Sequence, residues 1–494
     1  MAEEKKQEEQ KKPYKKPKGA EKEFSIVLNG EELKYKVKCD WMVLQKDEKP
    51  FGEMFYTYYS SGEEKSKRPI TFAFNGGPGS ASVYLHLGAM GPKRVNLCPE
   101  GYPLDPPHRL VDNQESWLQF TDLVFIDPIG TGFSRVIKDP KGDEKKDKEN
   151  KDNYWGITRD LESICEFIKK ILSKNNRWNS PVYIAGESYG GYRIGKLVNM
   201  LQDKYAVGLS GSIIISPALD LTNLDYTYYN VLPWIDIFPT LAAIAAYHGK
   251  SKAFDETKET LYSFRKRAGE FAISTLSSVI IGDELIDADY REAVYNQITA
   301  FTGIPLEEVQ NRHGKLDLEF FSKNLLKDER KVIGLYDGSM TIDDVFAESH
   351  ELQEPIPSTR HTPVFGTGIN YLLCQELGLE TERNYNMINF EANSGWKMDV
   401  LEHPLHLSVE SVDDLRIGMG IGSSMGVYLT HGIFDQVTPS FSAERITALM
   451  KLTDKQKEKL TIRHFKGGHM FYTWEESRVG FFKDMQKFYE KFSH

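Results

Sequence analysis

The chain has 494 residues, of which 40% are hydrophobic and 27% are charged. This composition is typical of a globular protein and excludes a wholly disordered or fibrous chain. The 62 Lys and Arg residues are outnumbered by 72 Asp and Glu residues, so the net charge is −10 and no overall basic field favours nucleic acid or anionic lipid. No apolar run approaches the roughly 18 residues that a membrane span requires. We therefore expect neither a nucleic-acid partner nor a membrane partner.

The N terminus interleaves acidic and basic residues and has no apolar stretch of signal-peptide length. The sequence as written therefore predicts a cytoplasmic protein, and export after removal of a leader is the alternative. The four cysteines are Cys39, Cys98, Cys165 and Cys374. They are far apart and form no CxxC pair, so their spacing indicates neither a zinc site nor a disulfide framework and favours a reducing compartment.

Six short runs rich in β-branched and aromatic residues stop abruptly at Gly, Asp or Pro, as buried strands of a mostly parallel sheet do. These runs begin at Pro69, Asp122, Pro181, Ser212, Val427 and Leu460. Between Leu161 and Leu172, apolar residues recur at helical spacing and predict an amphipathic helix. Strands that alternate with helices indicate an α/β fold with a mostly parallel central sheet flanked by helices.

Changes in composition divide the chain into four predicted parts. Residues 1–20 are too polar to order and predict a flexible charged tail, whereas residues 21–224 carry the first part of the α/β core. Helix-forming stretches dominate residues 225–385, which predicts a helical cap insertion over the strand ends, and the core resumes in residues 386–494. A second polar run at residues 138–153 predicts an exposed loop.

The strongest local motif is Gly186-Glu187-Ser188-Tyr189-Gly190. It follows the apolar run VYIA and precedes a helical stretch, which is the strand, turn and helix context that a G-x-S-x-G nucleophile requires. A serine at this sharp turn would present its hydroxyl above the sheet. We therefore predict Ser188 as a nucleophile.

A serine hydroxyl needs an adjacent base, which a third group must orient. In enzymes built around such a turn, an Asp or Glu and then a His follow downstream. Asp435 follows the run VYLTHGIF, and His469 follows the run LTIRHFKGG. His431 and His464 lie near these two positions, but the Gly-rich strand end and the chain order favour His469.

Acyl transfer also requires donors for the developing oxyanion. The backbone N–H group of Tyr189, directly after the nucleophile, is one expected donor. A second is expected from a Gly-rich loop after an earlier strand, and the run Asn75-Gly76-Gly77-Pro78-Gly79 lies in that place. The alternative interpretation of this run is a simple tight turn.

The motifs FNGGPGS, VFIDPIGTGFSR, AGESYGGYR and FKGGHM, in this order, resemble the serine carboxypeptidase family, peptidase family S10, within the α/β hydrolases. The resemblance covers the chain from about Pro69 to its end and implies an α/β-hydrolase fold with a helical cap between nucleophile and acid. It implies a triad in which Ser188 is the nucleophile, His469 the general base and then acid, and Asp435 its orienting partner.

The resemblance further implies that the backbone N–H groups of Gly77 and Tyr189 form the oxyanion hole. Asn75 and Glu187 match two members of the cluster that binds the free C-terminal carboxylate of the substrate. A Glu beside a bound carboxylate should hold a proton and donate it, because two like charges at close range cannot both ionise.

Three positions depart from the family pattern. Ala73 stands where the family has a Trp, Ala89 where it commonly has an acidic residue, and Ser80 where it has a Cys. Half of the carboxylate clamp is therefore absent. With Glu187 as the remaining acid of the pair, we expect its pKa to be raised less and activity to extend toward neutral pH.

The sequence thus predicts a serine-type carboxypeptidase that hydrolyses C-terminal peptide bonds of substrates with a free C terminus through an acyl-enzyme intermediate. No metal or organic cofactor is expected. An esterase or acyltransferase with the same triad is the alternative, and a non-catalytic binding protein of the same fold is a third possibility. The oligomeric state and the residue preference at the cleaved bond cannot be read from the sequence.

Overall fold

The computed structural model describes residues 14–46, 49–62, 67–138, 145, 147, 148, 151, 154–353, 357–400, 409–422 and 424–493. Residues 1–13 of the predicted tail and most of the predicted loop at residues 138–153 lie outside the described residues. Residues 14–19 have no regular secondary structure, and the Lys16 ammonium pairs with the Asp40 carboxylate at 2.6 Å.

The strands of the described residues are β1 Ala20–Leu28, β2 Glu31–Lys46, β3 Lys49–Ser61, β4 Ile70–Phe74, β5 Lys93–Val95, β6 Leu110–Asp112, β7 Asp122–Ile126, β8 Arg135–Val136, β9 Val182–Glu187, β10 Gly211–Ile215, β11 Lys331–Ile333, β12 Thr341–Asp343, β13 Gly426–Gly432 and β14 Leu460–Phe465. A 10-stranded sheet has the order β1-β2-β3-β7-β4-β9-β10-β13-β14, and β8 pairs with β3 at its side. β5 pairs with β6, and β11 with β12, in two small antiparallel sheets.

The central sheet has a parallel part and an antiparallel part. Strands β7, β4, β9, β10, β13 and β14 run parallel, and they are the six runs that the sequence predicts. Strands β1, β2 and β3 extend the sheet in antiparallel register, and β3 is also antiparallel to β7. The carboxyl ends of the six parallel strands consequently meet at one edge of the sheet, where ligands bind in folds of this class.

The α-helices of the described residues are α1 Val83–Leu85, α2 Ile157–Lys174, α3 Tyr189–Asp203, α4 Leu232–Tyr247, α5 Leu261–Phe271, α6 Ser277–Gly282, α7 Ala288–Thr302, α8 Leu306–Asn311, α9 Leu318–Asn324, α10 His361–Asn370, α11 Phe390–Ser394, α12 Val412–Ile421, α13 Ser440–Leu449, α14 Asp454–Lys457 and α15 Glu475–Phe492. The predicted helix at residues 161–172 lies within α2, whose apolar face is buried. No helix of the described residues combines the length and the apolar character that crossing a bilayer requires.

Side chains of the central strands alternate between two apolar clusters, because successive residues of a strand point to opposite faces. In β4, Ile70, Phe72 and Phe74 belong to the cluster that includes α2, α3, α12 and α13. Ala73 belongs to the opposite cluster, which includes α10 and α15. Helices thus cover both faces of the sheet, as the sequence predicts.

A third apolar cluster holds together helices α4, α5, α7 and α9, which follow β10 in the chain. Ile433 and Phe434, which directly precede Asp435, belong to this cluster, so the cap packs against the loop that carries the predicted catalytic acid. Arg445 in α13 also binds both carboxylate oxygens of Asp236 in α4, at 2.8 and 2.7 Å. Helix α10 lies within the predicted cap segment 225–385, yet its side chains pack into the cluster of the sheet.

Candidate active site

Ser188 occupies the turn between β9 and α3, with φ 64° and ψ −125°. A positive φ is unfavourable for a residue with a side chain and is found where a turn must hold a reactive group. The Ser188 N–H donates to the Ile215 carbonyl at 3.0 Å, and its carbonyl accepts from the N–H groups of Gly191 at 2.8 Å and Ala218 at 3.2 Å. Ser188 is partly exposed between the buried residues Glu187 and Tyr189. This is the strand, turn and helix geometry that the motif predicts.

Two glycines permit the backbones around this turn to approach each other. A Cβ atom on Gly186 would lie 2.4 Å from the Gly190 carbonyl oxygen, and a Cβ atom on Gly76 would lie 2.4 Å from the Tyr189 nitrogen. Gly76 therefore lies directly against the amide of Tyr189, one of the two predicted oxyanion donors. The other predicted donor, Gly77, is the next residue of the same loop.

Asp435 and His469 are in direct contact. The His469 Nδ1 atom lies 2.7 Å from Asp435 Oδ2, and because a carboxylate accepts, Nδ1 carries the proton and Nε2 keeps its lone pair. Asp435 Oδ1 also accepts from the N–H groups of Val437 at 2.9 Å and Thr438 at 3.0 Å, and Oδ2 accepts from the Thr438 hydroxyl at 2.7 Å. This arrangement fixes the carboxylate and leaves the Nε2 atom as the basic position of the imidazole.

The electrostatic environment of His469 favours its protonated form. Burial of the imidazole lowers its pKa, but the charge and the hydrogen bond of Asp435, together with the charge of Glu187, outweigh burial and raise the pKa above its ordinary value. An imidazole with a raised pKa is a stronger base, and its charged form is stabilised once it has accepted a proton.

Backbone groups of Ser188 and His469 each bind the corner after β10. The Ser188 N–H binds Ile215, and the hydroxyl of the next residue, Ser216, donates to the His469 carbonyl at 2.8 Å. Within the described part of the chain, the Ser188 hydroxyl and the His469 imidazole make no direct hydrogen bond. In enzymes without substrate this bond is often long and tightens only when substrate binds.

Asn75 and Glu187, the predicted carboxylate-binding residues, are hydrogen-bonded to each other. The Asn75 amide donates to Glu187 Oε1 at 3.0 Å, and the Tyr472 hydroxyl donates to Oε2 at 2.5 Å. Burial raises the pKa of Glu187 to about 7, although the charge of His469 and the hydrogen bonds from Tyr472 and Asn75 lower it. A carboxyl group that changes its charge near neutral pH thus lies directly before the predicted nucleophile.

The positions that depart from the family pattern are all buried. Ala73 and Ala89 are 0% and 2% exposed, and Ser80 forms an isolated β-bridge with Ile388. Ala89 stands in place of the expected second acid, and the Tyr472 hydroxyl donates a hydrogen bond to Glu187. Tyr472 is not predicted from the sequence, because a tyrosine three residues after a histidine carries no motif of its own.

Thr438 was also missed, although a signal exists in the sequence. An Asp followed three residues later by Thr and then Pro is typical of a turn in which the carboxylate accepts backbone N–H groups. Among the described residues, no group of three or more His, Cys, Asp and Glu side chains is suited to hold a metal ion.

A model of the serine carboxypeptidase family matches residues 33–238. The chain is similar to the serine carboxypeptidase family over these residues. The matched part includes the predicted oxyanion loop and Ser188, whereas Asp435 and His469 lie beyond it. The roles of Ser188, Asp435, His469 and their neighbours stay predictions.

Two curated members of the family show how far the similarity in sequence extends. Serine carboxypeptidase-like 13 of Arabidopsis thaliana is 30% identical over 171 residues, which cover 34% of this chain and 36% of that protein. Pheromone-processing carboxypeptidase KEX1 of Tuber melanosporum is 27% identical over 166 residues, which cover 33% of this chain and 23% of that protein. The chain thus spans about a quarter to a third of the length of these relatives.

A solved carboxypeptidase structure extends the likeness in fold to nearly the whole chain. The crystal structure of Kex1(delta)p, a prohormone-processing carboxypeptidase from Saccharomyces cerevisiae, superimposes with a TM-score of 0.53 at 17% identity. The superposition covers 92% of this chain and 91% of that one. The α/β-hydrolase fold predicted from the sequence is confirmed.

Proposed function

We propose that this protein is a serine-type carboxypeptidase that removes the C-terminal residue of peptides through an acyl-enzyme intermediate. The observation that carries the proposal is the buried carboxyl group of Glu187, directly before Ser188 and hydrogen-bonded to Asn75 and Tyr472. An esterase of small substrates needs no such group beside its nucleophile. A peptidase that recognises a free carboxylate needs a neutral carboxyl group there, because a protonated Glu187 donates a hydrogen bond to the carboxylate of the substrate.

The reaction begins when the Ser188 Oγ atom attacks the carbonyl carbon of the last peptide bond, while His469 Nε2 takes the hydroxyl proton. The negative charge moves to the carbonyl oxygen, which accepts from the N–H groups of Gly77 and Tyr189. The C–N bond then breaks, and His469 gives its proton to the leaving amine. A water molecule, deprotonated by His469, attacks the acyl carbon and releases the shortened peptide and the free serine.

Asp435 acts through His469 and not on the substrate. Its hydrogen bond fixes the tautomer with the Nδ1 proton and stabilises the imidazolium that forms in each step. The contacts from Val437 and Thr438 hold the carboxylate, so the imidazole does not have to reorient between accepting and returning the proton.

A peptide and its C-terminal amide, incubated with the protein and followed by mass spectrometry, test the proposal. We expect loss of a single residue mass from the free acid and at least 100-fold slower loss from the amide, because the amide offers no carboxylate to Glu187. The Ser188→Ala variant is the control and should leave both peptides intact. Equal cleavage of both peptides, or cleavage of internal bonds, would contradict a carboxypeptidase.

An esterase or acyltransferase that uses the same triad is the second candidate. The buried alanines Ala73 and Ala89 favour it, because they offer no polar atom to a substrate carboxylate. Rapid turnover of small neutral esters without any turnover of free-acid peptides would select this candidate.

A further inference from the structure

A buried arginine lies beneath the turn that carries Ser188. Arg193, in the second turn of α3, is 0% exposed. Its Nε and Nη2 atoms donate to the two oxygens of Asp160 in α2, at 2.7 and 3.1 Å. Its Nη1 atom donates to the backbone carbonyl of Asn75 at 2.8 Å. All three nitrogens of the guanidinium therefore donate hydrogen bonds. Two of them bind a carboxylate, and the third binds the loop after β4.

The guanidinium also contacts the ring of Tyr189. The central carbon of Arg193 lies 4.9 Å from the ring centroid, within the range of a cation–π contact. The hydroxyl of Tyr189 accepts from the Trp396 indole N–H at 3.1 Å. The tyrosine is thus held at its ring by Arg193 and at its hydroxyl by Trp396. Arg193 thus contacts both segments that supply the predicted oxyanion donors, the loop that begins at Asn75 and the residue after the nucleophile.

We propose that Arg193 is a positioning residue that aligns the two oxyanion donors, and that Asp160 holds Arg193 in place for this role. This inference rests on the proposed function, since it concerns the same acyl-transfer site. The Asn75 carbonyl and the Gly76 nitrogen belong to one rigid peptide plane, so a hydrogen bond to this carbonyl fixes the orientation of the loop directly before Gly77.

Lysine cannot replace arginine in this arrangement. A guanidinium is a rigid, planar fork that presents N–H groups to a carboxylate and to a third acceptor at once, whereas an ammonium is a single point of charge. In an Arg193→Lys variant, the charge opposite Asp160 remains but the loop and the ring lose their fixed support. Oxyanion stabilisation depends on donors placed in advance of the reaction, so a small displacement lowers the rate of the chemical step.

The chain offers a matched control in Arg177, which is also 0% exposed. Its Nη1 atom donates to the fully buried Asp122 at 2.5 Å, and its Nη2 atom donates to the backbone carbonyl of Arg68 at 2.6 Å. Asp122 begins β7, and Arg68 precedes β4, so this pair lies at the amino ends of the strands, away from the site. Arg177→Lys therefore carries a similar structural cost without touching the oxyanion donors.

The experiment compares Arg193→Lys with Arg177→Lys in the full chain. The readouts are the second-order rate at which a fluorophosphonate probe labels Ser188, kcat and KM for a small neutral ester, and the thermal midpoint. For Arg193→Lys we expect the labelling rate and kcat to fall about 10- to 100-fold with little change in KM. For Arg177→Lys we expect a lower thermal midpoint and a labelling rate within about twofold of the wild-type rate.

Wild-type labelling of a folded Arg193→Lys variant would overturn the proposal, as would an equal loss of labelling in both variants. If Arg193→Lys does not fold, Asp160→Glu keeps both charges and displaces the guanidinium, and its labelling rate should fall at least threefold. Wild-type labelling of that variant would equally overturn the proposal. Labelling of the wild-type protein without any hydrolysis of peptides would refute the carboxypeptidase but leave the role of Arg193 intact.

Discussion

The two buried Arg–Asp pairs show how the opposite ends of one sheet differ. At the amino ends, Arg177 binds Asp122 and also donates to Tyr58, Ser180 and backbone carbonyls. Every one of these contacts is within the scaffold. At the carboxyl ends, Arg193, which Asp160 holds in place, contacts segments that carry predicted reactive groups. The same type of buried ion pair therefore stabilises the fold at one end and, in our proposal, aligns the oxyanion donors at the other. Burial and ion pairing alone do not distinguish the two roles.

Positive φ angles at non-glycine residues occur at both ends of the sheet, as at Asn176 beside Arg177, and two of them lie at the predicted site. Ser188 has φ 64° and the next corner residue, Ser216, has φ 42°, and both lie at the carboxyl ends of β9 and β10. Strained conformations persist only where the surrounding structure over-determines them, and they concentrate at functional sites.

The largest expected effect belongs to His469. Replacement by Ala should lower kcat for esters and peptides by about 10⁴-fold or more, because the proton of Ser188 then has no acceptor. The thermal midpoint should change little, since Asp435 keeps its bonds to Val437 and Thr438. Steady-state kinetics and thermal unfolding check both expectations.

His464 is the control for this variant. It lies on β14, the strand that precedes His469, beside the carboxylate of Glu444, but it contacts no predicted reactive group. His464→Ala should retain kcat within a few-fold of the wild-type value. A comparable loss of kcat in both variants would show that the loss reflects the strand and not the imidazole of His469.

The second prediction concerns the amino ends of the strands. Arg177→Met removes one of two guanidinium groups that bind the buried Asp122 carboxylate, and Arg68 Nε stays at 2.7 Å. We therefore expect a loss of stability below the about 3–5 kcal/mol that a fully unpaired buried charge costs. We expect a lower denaturant midpoint with kcat unchanged at temperatures where the variant is folded. A loss of kcat without a loss of stability would contradict a purely structural role for Arg177 at the amino ends.

The third prediction concerns pH. Glu187 holds a proton below its pKa of about 7, so it can donate to the carboxylate of the substrate, and it repels that carboxylate once it ionises. KM for a free-acid peptide should therefore rise about tenfold for each pH unit above 7. KM for a neutral ester should stay flat, because the ester has no carboxylate.

Glu187→Gln sharpens this test. The amide stays neutral at every pH and still donates a hydrogen bond, so KM for the peptide should lose its rise above pH 7. The acid limb of kcat, which we assign to His469, should remain in the variant, because His469 must lose its proton to act as a base. If KM of the wild-type protein does not change across neutral pH, Glu187 does not contact the substrate carboxylate.

The parallel half of the fold could be predicted from the sequence, and the antiparallel half could not. Buried parallel strands such as β4 and β9 are continuous apolar runs that end at glycine or polar residues. Strands β1 and β2 are rich in charged side chains and read as polar segments, although their register buries Val37 and Cys39 on one face. The period-2 pattern was present, but it was masked by lysines and glutamates on the open face.

The site divides in the same way. Ser188 and His469 lie in motifs and Asp435 follows a strand, so their order along the chain indicates their predicted roles. Tyr472 and Arg193 have no such signal, because their roles depend on which residues the fold brings to them. A sequence motif indicates which side chain reacts, whereas the side chains that position it are identified only from interatomic distances in the structure.

The smallest expected effect concerns Tyr472. Its hydroxyl donates to Glu187 Oε2 and lowers the pKa of that carboxyl group. Tyr472→Phe removes the donor, so the pKa of Glu187 should rise further, and the increase in KM for a free-acid peptide should begin at a pH higher by about half a unit to one unit. The matched control is Tyr489→Phe, which removes a buried hydroxyl that binds Thr71 on the amino half of β4, at 2.6 Å. That variant should leave the KM profile in place, and a shift of the profile in both variants would show that the shift does not depend on the hydrogen bond to Glu187.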